Sequence, residues 1–210
     1  MGKLTDVAVR AVSLRLLPVR TRVPLKFGTE TLTEVTCARV CVRVEDRRGR
    51  GAEGWGETPL SVQWVWPSAL PYQPRHAALE KLCVRLVRAW ADFAEVGHPL
   101  EIGHAFVRDR LPQVLAEVNA DRSEPVPWLA ALVCCSAFDL AVHDAYGMLL
   151  GLDTYATYSA EHLNQDLAAY LRPAPGADAD FAGRYPADYL EPRRPAGPPG
   201  SSACPGSSRW

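Results

Sequence analysis

Lysine is scarce in this chain of 210 residues: Lys3, Lys26 and Lys81 are the whole supply. That leaves few positions for lysine-based proton transfer. Charge of one sign is also lacking. The net charge is −1, so nothing draws the chain to nucleic acid or to an anionic membrane. No uninterrupted apolar run approaches the roughly 20 residues that cross a bilayer. The start, Met1-Gly2-Lys3-Leu4-Thr5-Asp6, has no apolar stretch of a secretory signal. Asp6 stands where a myristoylation signal has Ser or Thr. The six cysteines form no CxxC pair. Cys37 and Cys41 share a strand face but lie about 13 Å apart along it, too far to hold one ion. Cys83, Cys134 and Cys135 fall in apolar helical patterns and read as small buried hydrophobes, and Cys204 lies near the end. The expectation is a reduced, cytoplasmic protein with no nucleic-acid or membrane partner.

What is present is ordinary globular material: 48% hydrophobic and 22% charged residues. Val12, Leu14 and Leu16 alternate with polar neighbours, which predicts a strand over 7–16 that ends at Pro18. Residues 19–30, with Pro24 and Gly28, read as a loop. From Thr31 to Glu45, Ala38, Val40, Val42 and Val44 face one way, with Arg39, Arg43 and Glu45 opposite. Residues 46–51 form a polar, Gly-containing hairpin turn into a third strand over 52–58. A Pro- and Trp-rich loop spans 59–74. A helix follows, with Leu79, Leu82, Cys83, Leu86, Val87, Trp90, Phe93 and Ala94 at helical spacing, closed by Gly97 and Pro99. A second helix covers 102–118, bent or broken at Pro112. The third starts after Pro125 and Pro127 and stops at Gly151. Its buried stripe is predicted as Leu129, Leu132, Val133, Ser136, Ala137, Leu140, Ala141, Asp144, Ala145 and Met148. Strands first and helices after is an α+β pattern: a three-stranded antiparallel meander and a helical layer. Val40, Val42, Val44, Leu82, Leu86, Leu132 and Leu140 are the predicted core. Residues 172–210 hold eight of the eighteen prolines, which predicts a Pro/Gly/Ser-rich disordered tail.

Two segments carry a resemblance. One is Ser136-Ala-Phe-Asp-Leu-Ala-Val-His-Asp-Ala-Tyr-Gly-Met-Leu-Leu-Gly-Leu152. The other is Gly54-Trp55-Gly56-Glu57 on the third strand, preceded by Pro24-Leu25-Lys26-Phe27-Gly28. Together they resemble the N-terminal capping domain of the enolase superfamily, in its mandelate racemase and muconate lactonizing enzyme branch. Asp139, Ala141, Asp144, Gly147, Gly151 and Leu152 stand where that family's helix carries its motif. Met148 replaces a usual Lys, and Asp153 a usual Pro. The resemblance covers residues 5–155. Residues 156–171 then read as a linker or the start of a barrel, and 172–210 as the tail.

The resemblance implies Mg²⁺-dependent abstraction of the proton next to a carboxylate, in a racemase, dehydratase or cycloisomerase. In that family the base and the three metal-binding carboxylates come from a barrel of about 250 residues. Only 59 residues follow Gly151, and no Lys-x-Lys of the second barrel strand is present. So no catalytic residue, no metal ligand and no cofactor is expected in this chain. The resemblance implies a lid in two loops, 20–28 and 58–66. Arg20, Arg22 and Lys26 would pair with an anionic substrate group, and Phe27, Trp64 and Trp66 would form an apolar wall. Asp139 and Asp144 point to different sides of their helix. His143 beside Asp144 is no dyad, because adjacent helical residues do not face each other. His98, His104 and Glu57 are weaker candidates for a ligand, a ligand and a structural ion pair. Partners expected are a barrel domain, or a second copy meeting apolar surface at Trp64, Trp66, Phe138, Val142 and Tyr146. A different class remains open: a small α+β binding or interaction module with no catalytic role. The DNA beyond codon 191 separates the two.

Overall fold

The structure, a computed structural model, describes residues 2–27 and 30–190, apart from the side chains of Phe27 and Glu30. Three antiparallel strands come first: β1 (Val7–Phe27), β2 (Glu30–Asp46) and β3 (Gly51–Pro59), in the order β1-β2-β3. Five α-helices follow: α1 (Val62–Val65), α2 (Tyr72–Ala91), α3 (Pro99–Ala105), α4 (Leu111–Asn119) and α5 (Trp128–Leu150). The α+β meander and helical layer are as the pattern predicts.

The sheet buries the face the alternation assigns to it. Ala38, Val40, Val42 and Val44 are fully buried, and Arg39 and Glu57 pair at 2.7 Å on the outer face. On β1 the inward set changes parity. Val7 and Val9 are buried, a bulge follows at Arg10, and Val12, Leu14 and Leu16 then pack on the core. The extra residue flips the side-chain phase.

Where β1 ends differs from the expectation. It runs through Pro18 and Pro24 to Phe27, so residues 19–27 are strand and not loop. β1 is an edge strand, and a proline is tolerated there because its missing N–H can face away from the neighbouring strand. The expected loop over 59–74 also contains α1, and α2 starts at Tyr72 with Pro74 inside its first turn, where no N–H is needed. At its other end α2 stops at Ala91, before Phe93 and Ala94. Gly97 then pairs with Val7 instead of closing a helix.

The second helix is longer than predicted. It begins at Pro99, where His98 and Glu101 form a reciprocal cap. Its bend is a single π turn, Phe106–Arg110, in which Leu111 N–H reaches back to Phe106 O. Pro112 explains the turn, since its ring would clash with the carbonyl four residues earlier in a regular helix.

The third helix, α5, differs most in phase. Phe138, Val142 and Tyr146, expected on its outside, are buried, while Leu140 is 51% exposed and Met148 67%. Leu129 is exposed and Leu132 half-buried. The reason is in the partner surface. α5 lies on β3 over Gly54 and Gly56, where an added Cβ would fall 2.0 Å from Ala145 N and 2.0 Å from Ala137 O. Glycines on the strand and Ala137, Ala141 and Ala145 on the helix let the two backbones touch. The small-residue face therefore goes inward with Phe138 and Tyr146 beside it, and the leucine stripe is left outside. By length and composition α5 is apolar enough to cross a bilayer, and here one side of it packs on the sheet. Gly151, at φ 67°, ends it.

After α5 the chain stays attached to the body. Glu101, besides capping α3, accepts from Asn164 N (2.6 Å), Asn164 Nδ2 (2.8 Å) and Gln165 N (2.9 Å). Asn164 Nδ2 also donates to the buried Asp6 carboxylate at 2.9 Å. Residues 172–190 hold turns and one short 3-10 helix, with Ala187 N donating to Tyr158 O at 2.9 Å. Residues 191–210, the rest of the expected tail, with Cys204, lie outside the described residues.

Candidate functional site

β3 ends opposite Cys37, while β1 and β2 continue as a two-stranded arm from Pro18–Thr36 to Phe27–Glu30. A register shift between Arg20 and Leu25 makes residues 21–24 bulge from the ladder. The Thr21 hydroxyl holds the bulge by donating to the carbonyls of Thr33 (3.1 Å) and Leu32. Arg20, Arg22 and Lys26 are all exposed on this arm, which also holds Glu30 and Glu34, a net charge of 3 − 2 = +1. The arm thus carries a small net positive charge with these three basic side chains in solvent, while Leu32 and Val35 on it are buried. Phe27's side chain lies outside the described residues.

The loop after β3 is fastened to the base of the arm. Leu60 N–H donates to Thr36 O at 2.8 Å, and His76 Nε2 shares a 2.9 Å hydrogen bond with Thr36 Oγ1. The described parts of both segments picked from the sequence, 20–27 and 58–66, therefore sit at one end of the sheet. Within the second, the two tryptophans part. Trp64 is 57% exposed on α1. Trp66 is buried, donates from Nε1 to Glu124 at 2.6 Å and lies under the Arg122 guanidinium. Trp66 anchors the loop and does not share an exposed wall with Trp64.

A second constellation escaped the sequence reading. Asp139 and His143, one turn apart on α5, face each other at 3.9 Å, and Tyr158 OH lies 3.0 Å from His143 Nδ1. The spacing i, i+4 is the signal in the sequence, whereas the adjacent His143 and Asp144 do not face each other. Tyr158 comes from the 3-10 turn after α5, a stretch with no periodicity to announce it. Gly103 makes room for Asp139, whose carboxylate would clash with any Cβ there. Burial raises the Asp139 pKa against the pull of His143, and burial lowers that of His143 against the pull of Asp139. Burial pushes the Tyr158 hydroxyl up to about 12. Behind them His98 is fully buried. Its Nδ1 accepts from Leu100 N and its Nε2 faces Thr157 Oγ1 at 3.0 Å. Thr157 gives its own proton to Thr154 O, so His98 is the donor and is held neutral with its proton on Nε2. Burial, with His143, His162 and Lys3 nearby, lowers its pKa to about 3.

Asp139, His143 and Tyr158 sit on the ridge between two shallow cavities of about 460 and 410 Å³. Neither is lined by a lysine or an arginine. Among the described residues no group of three or more His, Cys, Asp or Glu side chains can hold a metal ion. The described residues do not fit a Mg²⁺ centre. The line Tyr158–His143–Asp139 therefore has one hydrogen bond, Tyr158 to His143, and a 3.9 Å approach of His143 to Asp139, but no described cation to hold charge developing on a carboxylate substrate. Asp144 has a structural task, accepting from Trp55 N at 2.8 Å. His104 stacks edge-on with Tyr170.

No family model matches this chain. No curated protein matches it. Solved structures do. They include epimerases, a racemase and a mandelate racemase/muconate lactonizing protein. A dipeptide epimerase from Enterococcus faecalis V583 matches at 14% identity and TM-score 0.42, over 73% of this chain and 35% of that one. The L-Ala-D/L-Glu epimerase from Bacillus subtilis matches at 17% identity and TM-score 0.40, over 72% and 34%. An N-succinyl Arg/Lys racemase from Bacillus cereus matches at 16% identity and TM-score 0.42, over 72% and 33%. The chain spans about a third of the length of these structures.

Proposed function

We propose that this chain is the capping, lid-bearing part of a cytoplasmic mandelate racemase or muconate lactonizing enzyme-like protein. In such an enzyme Mg²⁺ and a base remove the proton next to a carboxylate, giving racemisation, dehydration or cycloisomerisation. The chain by itself is inactive on this reading. One observation carries it: a cationic arm bearing Arg20, Arg22 and Lys26 stands beside a tryptophan-bearing loop, on a body that supplies no described metal-binding group. Such an arm attracts and encloses an anion but cannot stabilise an enediolate. The base and the cation would come from a barrel domain beyond residue 171.

The test is the DNA that follows codon 191, read in all three frames. A frame encoding Lys-x-Lys and spaced Asp or Glu on successive strands supports the proposal. The restored full-length protein should then exchange the α-proton of a carboxylate only with Mg²⁺ present, and Arg20→Ala or Lys26→Ala should raise KM for the anion. A restored protein that turns over equally well with both cations removed would overturn the lid assignment.

A further inference from the structure

The cavity of about 410 Å³ lies between β3 and the C-terminal half of α5, with the turn after Gly151 as its third wall. That volume falls within the roughly 300–1,000 Å³ of small-molecule sites. Three aromatic rings line it: Trp55 from β3, and Tyr155 and Tyr158 from the turn. The two tyrosines meet edge to face, 5.7 Å apart at 84°, so they present perpendicular walls. Trp55 and Tyr155 are 47% and 59% exposed, which keeps their rings accessible. Leu140 adds an aliphatic side. Charge is sorted across Trp55. A neighbouring cavity, which shares Trp55, is lined by Arg15 and Arg39, and Arg15 lies over the Trp55 ring at 5.8 Å, within cation–π range. The cavity against α5 has no described lysine or arginine; its charged groups are Glu57, Asp139 and Asp144. Arg39 neutralises Glu57 at 2.7 Å. Asp144 gives one carboxylate oxygen to Trp55 N, leaving the other for a ligand. Asp139 approaches only His143, at 3.9 Å, and burial lowers the pKa of that imidazole, so the Asp139 charge is left uncompensated.

We propose that this cavity binds a small organic ammonium ion, its methylated head against the aromatic walls and its charge facing Asp139 and Asp144. Aromatic faces attract a cation through their quadrupole, and each ring at an exposed site strengthens binding roughly two- to fivefold. The carboxylates supply negative charge at longer range, which an ammonium sheathed in methyl groups can use without direct coordination. A metal ion needs more: among the described residues no three His, Cys, Asp or Glu side chains can share one. An anion would meet two uncompensated carboxylates and no basic side chain. The site lies outside segments 20–28 and 58–66, so it stands apart from the lid reading.

The test titrates the chain with choline and, separately, with its neutral isostere 3,3-dimethylbutan-1-ol, following the tryptophan indole N–H signals by NMR. Choline should shift, saturably, the signal that is missing in Trp55→Leu. The isostere, with the same shape and no charge, should bind about 10-fold more weakly. Tyr155→Leu and Asp144→Asn should each weaken choline about fivefold. Both keep the fold, because Tyr155 is exposed and asparagine retains an acceptor for Trp55 N; unchanged circular dichroism checks this. Glu53→Gln, which alters a carboxylate on the same strand but outside the cavity, should bind as the parent does. Equal affinity for choline and the isostere overturns the proposal, since the cavity would then read shape and not charge. So does the absence of a saturable shift at Trp55, or binding that Tyr155→Leu and Asp144→Asn both leave unchanged.

Discussion

Replacing Gly54 or Gly56 with alanine probes the contact that sets the register of helix on sheet. At Gly56 the new Cβ would sit 2.0 Å from Ala137 O, and ordinary contact begins at 3.4 Å, so the helix or strand must move by 3.4 − 2.0 = 1.4 Å. The opposing atoms are backbone in a buried layer, and no side chain can swing away. Overpacking a rigid core costs ~1–3 kcal/mol, and this case belongs at the upper end, about 3 kcal/mol. Alanine returns about 0.7 kcal/mol by restricting the unfolded chain more than glycine does. The net loss is about 2.3 kcal/mol, which in a protein of this size lowers Tm by about 5–9 °C. Differential scanning calorimetry of Gly54→Ala and Gly56→Ala, with the exposed Glu53→Ala as control, reads this directly. A drop under about 2 °C in both glycine variants would refute the close-approach argument, because the helix would then have space the geometry denies it.

Phe138→Ala should cost ~3–5 kcal/mol, as a buried ring stacked on Trp90 is lost, whereas Leu140→Ala should stay within about 0.5 kcal/mol; urea midpoints in the reverse order would mean α5 is turned the other way. Glu101→Ala removes the acceptor for Asn164 and Gln165 and should speed limited proteolysis within residues 153–190, with little change at β2; equal cleavage in parent and variant would deny the latch. The unfolded chain protonates His98 near pH 6.5 and the folded chain only near pH 3. The unfolded state thus binds more protons between those values, so this contribution is whole above about pH 6.5 and is lost as pH falls toward 3. His143 acts in the same direction and Asp139 in the opposite one. Urea midpoints should fall from pH 7.5 to pH 5 with a shallower slope in His98→Asn, and identical slopes would contradict the burial argument.

The meander was legible because period two is unambiguous when Val40, Val42 and Val44 stand against Arg39, Arg43 and Glu45. The end of β1 was not, because Pro18 stops a central strand and the edge position was unknown from sequence. In α5 the apolar residues go nearly all the way round, so periodicity alone could not say which side faces inward. The answer lay with Gly54 and Gly56, eighty residues earlier, which accept only the alanine face. The segments 20–28 and 58–66 were picked by the resemblance alone, and their shared anchor at Thr36 required the fold. The Asp139–His143–Tyr158 line needed a residue from an irregular turn, which no pattern marks.

On the proposed function, proton abstraction needs a base and a cation from outside the residues described here. The most direct measurement incubates the purified chain in D₂O with Mg²⁺ and a panel of 2-hydroxy and 2-amino acids, following the α-proton by NMR. The account predicts no loss of signal beyond a protein-free blank. Reproducible exchange that a chelator abolishes would contradict it, placing a base and a metal site within the residues described here.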